Sequence, residues 1–287
     1  MKKVGVHVPV FQDEDIQLLM KKASKIEELG FDGVFVADSL SSSYEPLTTL
    51  TAFLCGSSHI NAGTCVLVAP LRNPLITAKT CAHINRVSGK RLILGVGVGW
   101  REWEFSSLSV PFSKRGEIMD EWLELFTLAC AGGELNVQTR YYGKIELELP
   151  KGEKPKIWVG GNSNKALKRA LKLADGWIPT DLTTKEYEQK LKGVTLPSNF
   201  TVASHLLLVL EKTSEEALKK AQIYSQKFGD TLEDFVEYAL VGDPSQVAER
   251  LAQYERVGVN YHVLSVHHLE SFYDALELFA KEVFPCV

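Results

Sequence analysis

Hydrophobic and polar positions along the chain form a regular succession of short apolar runs and longer amphipathic segments. The apolar runs are rich in β-branched residues, as in buried strands, and the segments after them carry apolar residues at helical spacing. The pattern predicts eight strands, over residues 4–8, 33–37, 60–68, 91–96, 157–159, 176–178, 202–210 and 261–266. Eight strand–helix units predict an α/β fold, a (β/α)8 TIM barrel, with its active site at the carboxyl ends of the strands.

One stretch breaks this alternation. Residues 132–154 are mostly polar and contain a Tyr141-Tyr142-Gly143 turn, so we expect an inserted hairpin or loop there. Elsewhere the composition does not shift, and no Pro/Ser-rich linker separates two halves of the chain. The sequence therefore predicts a single barrel domain over residues 1–287.

Composition and charge narrow the class of partner. A chain of 287 residues that is 45% hydrophobic can bury a large core, and a net charge of −4 offers no basic surface to nucleic acid or to an anionic membrane. A small-molecule substrate is therefore the expected partner, with no nucleic acid and no membrane. Five cysteines without a C-x-x-C pair predict reduced thiols and no metal site, and the N-terminus lacks a signal-like apolar segment. Together these features predict a cytoplasmic protein.

Two glycine-bearing segments indicate a phosphorylated cofactor. One covers residues 94–100 (LGVGVGW) and the other residues 158–163 (WVGGNS), and each follows a predicted strand and precedes a predicted helix. Glycine lets the backbone approach a ligand closely, and the start of the next helix offers free N–H groups to an anion.

The second segment is the predicted phosphate site. We expect the backbone amides of Gly160, Gly161 and Asn162 and the hydroxyl of Thr180 to bind a phosphate, because the late strands of such barrels commonly do so. The alternative is a plain Gly-Gly turn in which Asn162 or Ser163 caps the helix.

The first segment also partly matches the dinucleotide fingerprint of a Rossmann sheet. That fingerprint requires G-x-G-x-x-G and an acidic residue at the end of a second strand about 20 residues later. Asp120 and Glu121 lie at that distance, but within a predicted helix. A doubly wound sheet is therefore the less favoured fold.

Several segments together resemble the luciferase-like flavin and deazaflavin oxidoreductase family, which includes enzymes that use coenzyme F-420. They are residues 28–38 (ELGFDGVFVAD), 91–100 (RLILGVGVGW), 111–116 (PFSKRG), 158–161 (WVGG), 174–177 (ADGW) and 241–244 (VGDP). The resemblance runs almost end to end. It implies a luciferase-like (β/α)8 barrel with the flavin ring at its mouth and the cofactor phosphate over the later strands.

The resemblance also implies roles for residues near the ring. Thr64, Cys65 and Val66 match a third-strand bulge that holds a cis peptide bond, here between Cys65 and Val66, against the ring; the alternative is an ordinary buried strand with a core cysteine. Asp38 would hydrogen-bond the polar edge of the ring, although a turn or helix-capping aspartate fits the same position.

Val98, Gly99 and Trp100 would line the other side of the cofactor tail, and Arg101 either joins them or begins a helix in solvent. Sugar-phosphate-oxidising members of the family carry an Asp-His pair after the second strand and a Glu after the fourth-strand glycines. This chain has Ser39 and Trp100 there, so that acid/base machinery and that substrate do not carry over.

The candidate catalytic residues are therefore Ser39 and His7. Ser39 stands where those relatives have histidine, and His7 lies on the first predicted strand. His267 and His268, just past the eighth strand, are further candidates because histidine titrates near neutral pH.

Three functions remain open. The first is an oxidoreductase that exchanges a hydride between coenzyme F-420 and a small organic substrate. The second is an FMN-dependent luciferase-like monooxygenase, which would need a separate flavin reductase, and the third is a non-catalytic flavin-binding barrel. The family resemblance also implies a homodimer, for which we expect an interface on the helices predicted at residues 46–54 and 74–87.

Overall fold

The computed structural model describes residues 3–266 and 271–286. Its strands are β1 (Lys3–His7), β2 (Gly33–Val36), β3 (Asn61–Thr64), β4 (Leu67–Val68), β5 (Leu92–Gly97), β6 (Gly133–Gln138), β7 (Lys144–Leu149), β8 (Lys156–Gly160), β9 (Gly176–Ile178), β10 (Thr201–Leu210), β11 (Leu240–Gly242) and β12 (Tyr261–Val266). Its helices are α1 (Ile16–Glu28), α2 (Pro46–Cys55), α3 (Pro74–Val87), α4 (Glu102–Ser107), α5 (Arg115–Ala131), α6 (Asn164–Leu173), α7 (Thr184–Leu191), α8 (Ser214–Phe228), α9 (Leu232–Tyr238), α10 (Pro244–Arg256) and α11 (Phe272–Leu278).

The main sheet closes on itself. Parallel pairing runs in the order β1, β2, β3, β5, β8, β9, β10 and β12, and β12 pairs with β1. This closed eight-stranded barrel confirms the predicted fold class and excludes the Rossmann sheet. The short strand β4 continues β3 along β5, and β11 extends the sheet beside β10 outside the barrel.

The sequence pattern missed two short elements, α4 and β11. With six and three residues, both are too short to show a period of their own. Between α5 and β8, the strands β6 and β7 form an antiparallel hairpin within the stretch expected to be an insertion, and Leu135 and Ile145 pack it against Leu125 of α5. Within the described residues, no helix is both long enough and apolar enough to cross a membrane.

Each barrel strand divides its side chains between two cores. Val4 and Val6 of β1 face outward into the large core between sheet and helices, as apolar residues on alternate strand positions do. The barrel interior is filled by a second cluster built on three aromatic rings. Phe35 stacks on Trp158 with centroids 5.8 Å apart, and Tyr261 meets Trp158 edge-on at 4.9 Å. The interior is thus a packed core and not a pore.

The amino-terminal end of the barrel is fastened by polar side chains placed just before strands. Asp32 accepts a hydrogen bond from the Val4 amide at 2.8 Å, and Asp175 accepts one from the Ile157 amide at 2.8 Å. In both cases the acceptor directly precedes one strand and the donor is the second residue of the neighbouring strand. The Asp-Gly pairs at 32–33 and 175–176, part of the family resemblance, therefore support the barrel and lie far from its mouth.

A bulge between β3 and β4 occupies the space that glycines leave on two neighbouring strands. The peptide bond between Cys65 and Val66 is cis, the conformation that the resemblance implied. A Cβ atom added at Gly97 of β5 would lie 2.6 Å from Val66 Cγ2, and one added at Gly160 of β8 would lie 2.9 Å from Val66 Cγ1. These glycines are therefore required first by the packing of Val66.

We predict that Gly97→Ala destabilises the fold through this contact. A new methyl group in a packed site costs roughly 1 to 3 kcal/mol, since real Cβ atoms do not approach to 2.6 Å. Adding Val66→Ala removes the clashing methyl group and should recover much of the loss. Urea denaturation of the two single variants and the double variant measures this coupling.

Gly116→Ala is the matched control, because the nearest atom to an added Cβ there is the end of the Arg169 side chain at 3.5 Å. It should be neutral or slightly stabilising within helix α5. Equal costs for Gly97→Ala with and without Val66→Ala would contradict the packing role of Val66.

Candidate functional site

The two glycine-bearing loops open at the same end of the barrel. Strands β5 and β8 are parallel neighbours, with Val96 opposite Val159, so the chain leaves both at their shared carboxyl end. The loops after β2, β3 and β9 emerge at this end as well, because every barrel strand is parallel. This mouth is where barrels of this architecture place their chemistry.

The loop after β8 turns through a glycine with positive φ directly before helix α6. Gly161 adopts φ +116°, which side chains rarely allow, and its carbonyl oxygen accepts a hydrogen bond from Trp177 Nε1 at 2.9 Å. Ser163 caps helix α6 through its hydroxyl, which accepts from the Ala166 amide. A ten-residue helix thus begins directly behind the loop and directs the positive end of its dipole toward it.

Asn162 and Thr180 are joined across the gap between the β8 and β9 loops. The Asn162 side-chain amide donates to the Thr180 carbonyl at 2.8 Å and accepts from the Thr180 amide at 3.0 Å. Both residues are exposed, so the Thr180 hydroxyl is accessible beside the loop. A hydroxyl together with loop and helix-start amides forms a set of donors that fits a phosphate. Lys165 lies exposed at the start of α6, next to these donors in sequence.

Asp38, which the family resemblance places beside the cofactor ring, has partners within the protein. Its carboxylate forms a bidentate pair with Arg72, at 3.0 Å to Nη2 and 3.2 Å to Nε, and also accepts from the Val68 amide at 3.0 Å. Arg72 in turn contacts Glu45 at 2.8 Å. A carboxylate offers about four acceptor positions, so Asp38 retains capacity for one more donor.

Ser39 is held by a buried glutamate that the sequence analysis did not single out. Its hydroxyl donates to Glu104 Oε1 at 2.6 Å, and the same oxygen accepts from the Leu40 amide at 3.1 Å. Arg101 Nη1 lies 3.5 Å from it. Glu104 is buried while Glu102 of the same helix is exposed, a distinction that their sequence positions alone do not reveal.

These groups enclose a cleft of about 240 Å3 at the barrel mouth. Its walls combine charged and apolar side chains, namely Asp38, Ser39, Leu40, Val68, Leu71, Arg72 and Glu104. Sites for drug-sized ligands usually exceed roughly 300 Å3. The cleft therefore suits a small substrate or one edge of a ring system rather than a whole cofactor.

The loop after β5 contributes little buried surface. Val98 is half-buried against the outer core, and Gly99, at φ +75°, packs against Val68 and Phe105. Trp100 is 75% exposed, with the Arg101 guanidinium 4.5 Å from the centre of its ring. Arg101 occupies the position before helix α4 and also faces Glu104.

The upper layer of the barrel interior is polar. His7 of β1 meets His205 of β10 with ring centroids 5.6 Å apart, and Cys65 lies buried in the bulge of the third strand. Burial, with a smaller contribution from the negative charge of Asp181, raises the pKa of the Cys65 thiol to about 12, so it stays protonated. His267 and His268 lie outside the described residues.

His205 was absent from the sequence prediction, because it stands alone within its strand, without a motif around it. Only barrel closure brings it beside His7. Among the residues that the structure describes, no three His, Cys, Asp or Glu side chains are grouped as ligands for a metal ion.

Comparison with known sequences gives one family and several relatives. The family model for luciferase-like monooxygenase matches residues 3–239. A 5,10-methylenetetrahydromethanopterin reductase from Methanolobus tindarius is 25% identical over 238 residues, covering 79% of this chain and 69% of that protein. A phthiodiolone/phenolphthiodiolone dimycocerosates ketoreductase from Mycobacterium tuberculosis is 31% identical over 185 residues, covering 62% of this chain and 48% of the relative.

Solved structures share the fold over nearly the full chain. A coenzyme F-420-dependent tetrahydromethanopterin reductase from Methanopyrus kandleri has a TM-score of 0.80 at 19% identity, covering 99% of both chains. An F-420-dependent secondary alcohol dehydrogenase, in complex with an F-420–acetone adduct, has a TM-score of 0.83 at 16% identity, covering 100% of this chain and 99% of that chain. The oxygenating constituent of 3,6-diketocamphane monooxygenase from Pseudomonas putida, in complex with FMN, has a TM-score of 0.78 at 16% identity, covering 100% of this chain and 99% of that chain.

We predict that Glu104→Gln loosens the loop after β2. The amide oxygen accepts more weakly than a carboxylate, and a buried bond to a charged group is worth roughly 1.5 to 3 kcal/mol. The free energy of unfolding should fall by an amount of that order, and the Leu40 amide, which donates to Glu104, should exchange its hydrogen faster.

Urea denaturation and amide hydrogen exchange measure these two effects. Glu102→Gln is the control, because it makes the same change at an exposed position of α4 and should alter stability by less than about 0.5 kcal/mol. If both variants exchange at Leu40 as the parent does, Glu104 does not hold this loop.

Proposed function

The chain belongs to the luciferase-like monooxygenase family, and on this premise we propose that it is an oxidoreductase that exchanges a hydride between coenzyme F-420 and a small organic substrate. The observation that carries the proposal is the shared mouth of the barrel. There the Gly160–Asn162 loop and the start of α6 offer donors for a phosphate, and a separate small cleft lies beside Asp38 and Glu104.

The chain's own groups would bind and orient the two ligands. The cofactor, when bound, supplies the hydride donor or acceptor, since such chemistry belongs to the cofactor and not to side chains. The loop of Gly160, Gly161 and Asn162 with Thr180 would hold its phosphate, and Cys65 and Val66 of the bulge would lie against its ring. Val98, Gly99 and Trp100 would border its tail.

The cleft beside Asp38 supports a small organic substrate. Leu40, Leu71 and Val68 provide an apolar wall, while Arg72 and Glu104 are already paired with protein groups. Such a cleft favours a compact molecule with an apolar body over a multiply charged one. The reductases and the alcohol dehydrogenase among the similar proteins also support a hydride-transfer reaction.

A second candidate is an FMN-dependent luciferase-like monooxygenase. It is favoured by the structural likeness to the FMN-bound 3,6-diketocamphane monooxygenase component. Such an enzyme would depend on a flavin reductase as a partner, and its phosphate would use the same loop after β8. A non-catalytic flavin-binding barrel is the remaining alternative.

We also propose a homodimer that forms through α2 and α3, in the cytoplasm. Ile76 and Val87 of α3 are 66% and 63% exposed, and large apolar side chains at this exposure on one helix favour an interface. The cytoplasmic location rests on composition, since five cysteines without a paired motif suit a reducing compartment.

The cofactor prediction is tested by anaerobic titration of the purified protein with coenzyme F-420 and with FMN, followed by fluorescence. We expect tighter binding of F-420. Tighter binding of FMN would favour the monooxygenase, and binding with no turnover of any organic substrate would favour the non-catalytic barrel. Binding of neither cofactor would overturn the proposed function.

The phosphate site is tested in the same titration with Thr180→Val. The variant removes one donor to a charged acceptor, worth about 1.5 to 3 kcal/mol, so the dissociation constant should rise roughly 10- to 150-fold. The backbone bonds to Asn162 are unaffected. The control ligand is the riboflavin-type analogue without phosphate, whose affinity should not change; equal losses for both ligands would remove the phosphate assignment.

The dimer prediction is tested by light scattering of the parent and of Ile76→Lys. A charge placed at the centre of an apolar interface should shift the dimer toward monomer at low protein concentration. Ile223→Lys, at another largely exposed isoleucine on α8, is the control and should leave the mass unchanged. A monomeric parent would contradict the proposed dimer.

A further inference from the structure

One wall of the cleft at the barrel mouth carries a chain of hydrogen-bonded side chains. The Ser39 hydroxyl lies 2.6 Å from Glu104 Oε1, and the Ser41 hydroxyl lies 2.9 Å from the Ser39 hydroxyl. Ser39 and Glu104 both line the cleft, whereas Ser41 is exposed on the loop after β2. The chain therefore runs from the solvent side of this loop to the buried side chain of Glu104.

The carboxylate fixes the direction of these bonds. An ionised carboxyl group can only accept, so Ser39 donates its single hydroxyl proton to Glu104. Because it has no second proton, the Ser39 oxygen accepts from the Ser41 hydroxyl, and it also accepts from the Ser41 amide at 3.2 Å. An O–H group thus already donates to Ser39 Oγ, at an acceptor position that a substrate hydroxyl could take instead.

Ser39 carries the only hydroxyl among the described residues that line this cleft. The other polar groups have charged partners, since both oxygens of Asp38 accept hydrogen bonds from Arg72. Apart from these residues and Glu104, the lining side chains are apolar. A small neutral ligand with one O–H group therefore finds its matching partner at Ser39.

The cleft adjoins the bulge against which the cofactor ring would lie. Val68 of β4 lines the cleft and follows Val66 of the bulge by two residues. The Val68 amide donates to Asp38 at 3.0 Å, and Asp38 directly precedes Ser39. The loop that carries Ser39 is thus fixed to the strand that continues the bulge, which keeps Ser39 at a constant distance from the proposed ring position.

We propose that Ser39 and Glu104 form a proton-transfer pair for the oxidation of a small secondary alcohol and the reduction of the corresponding ketone. This inference rests on the proposed function. In the oxidation, the alcohol carbon gives its hydride to the oxidised deazaflavin and the alcohol O–H gives its proton to Ser39 Oγ. The Ser39 proton passes at the same time to Glu104, and a ketone is left.

The hydroxyl chain also provides the way out for the proton. Once the ketone has left, the proton returns from Glu104 through the Ser39 and Ser41 hydroxyls to water, because Ser41 is exposed. Ketone reduction runs the same transfers in reverse. The separation of 2.6 Å between Ser39 Oγ and Glu104 Oε1 lies within the reach of about 2.6 to 3.2 Å that a general base requires.

Glu104 also holds the loop, since it accepts from the Leu40 amide. Loss of proton transfer and loosening of the loop are therefore separate effects of one substitution. Variants of Ser39 separate them, because the Leu40 bond to Glu104 does not involve the Ser39 hydroxyl.

The first test needs neither cofactor nor turnover, and titrates the 15N-labelled full chain with cyclohexanol. The reporters are the Ser41 amide, which donates to Ser39 Oγ, and the Leu40 amide, which donates to Glu104. Both resonances should shift in a saturable way. Cyclohexanone has no O–H to donate and should bind roughly 2- to 10-fold more weakly, the value of one neutral hydrogen bond.

Ser39→Ala is the comparison in this titration, because it removes the proposed acceptor of the alcohol hydroxyl. The preference for cyclohexanol over cyclohexanone should disappear in this variant. If neither amide shifts in the parent, or if Ser39→Ala keeps the same preference, the alcohol does not bind at Ser39 and the proposal is overturned.

The second test measures oxidation of 2-propanol, 2-butanol and cyclohexanol by the protein loaded with oxidised coenzyme F-420. Ser39→Ala should lose about 100-fold or more in kcat, with cofactor affinity nearly unchanged. Ser39→Thr keeps a hydroxyl and should restore most of the rate. Ser43→Ala is the matched control, because it makes the same change at an exposed serine of the same loop and should leave kcat unchanged.

The double variant Ser39→Ala/Glu104→Gln tests whether the two residues act together. Members of one catalytic unit lose activity non-additively, so the double variant should be about as slow as Ser39→Ala alone. Losses that multiply would show two independent roles and overturn the pair. Parent-like kcat in folded Glu104→Gln would overturn the role of Glu104 as the proton acceptor.

The outcomes separate this pair from the proposed function. Failure to bind either F-420 or FMN overturns the proposed function. Bound F-420 without oxidation of any of the three alcohols, or equal kcat in the parent and Ser39→Ala, overturns the proton-transfer pair alone.

Discussion

The arrangement of loops at the barrel mouth depends on the packing of the Val66 side chain. The bulge between β3 and β4 carries this side chain across to β5 and β8, and it fits only because Gly97 and Gly160 leave room for its two methyl groups. Thr64 secures the same crossing from below, with its buried hydroxyl donating to the Gly95 carbonyl at 2.6 Å. Three neighbouring strands therefore lock together at one height, and the loops that follow them begin from fixed positions. Gly97 and Gly160, which make room for Val66, also end the two strands that lead into the glycine-bearing loops, so their packing sets where those loops begin.

The carboxylates around the mouth are held in different environments. Asp38 and Glu104 each accept hydrogen bonds from a neighbouring side chain and from a backbone amide, which fixes the loop after β2 to the loops after β3 and β5. Asp181 lacks such partners on its buried oxygen and faces another aspartate instead. Carboxylates that accept hydrogen bonds from several donors stabilise a structure, whereas burial beside another acid raises the pKa of a carboxyl.

Much of the barrel could be predicted from the sequence, because the strands are short, buried and followed by amphipathic helices. The eight predicted strands correspond to the eight of the closed barrel, and the two glycine loops do open at one end. The reasons for the glycines could not be predicted, since the pattern around Gly97 does not show that Val66 will lie against it. The same limit applies to contacts between side chains: nothing near Asp38 in sequence indicates Arg72, and nothing near His7 indicates His205. Contacts between distant residues depend on barrel closure, which local periodicity does not encode.

The rim of the mouth adds a last constraint on what can enter. Trp100 and Trp103 stand exposed beside the cleft, on the segment that leads into and through α4, and Leu40 is exposed across from them on the loop after β2. The cleft walls lie beside this rim, and His7 and His205 lie inside the barrel at the same end. On the proposed function, a substrate would place its apolar body against Leu40, Val68 and Leu71, whereas the cofactor phosphate would take its donors from the separate loop before α6. Because these surfaces lie on different strands of one rigid barrel, the fold can orient two ligands toward each other without a large rearrangement.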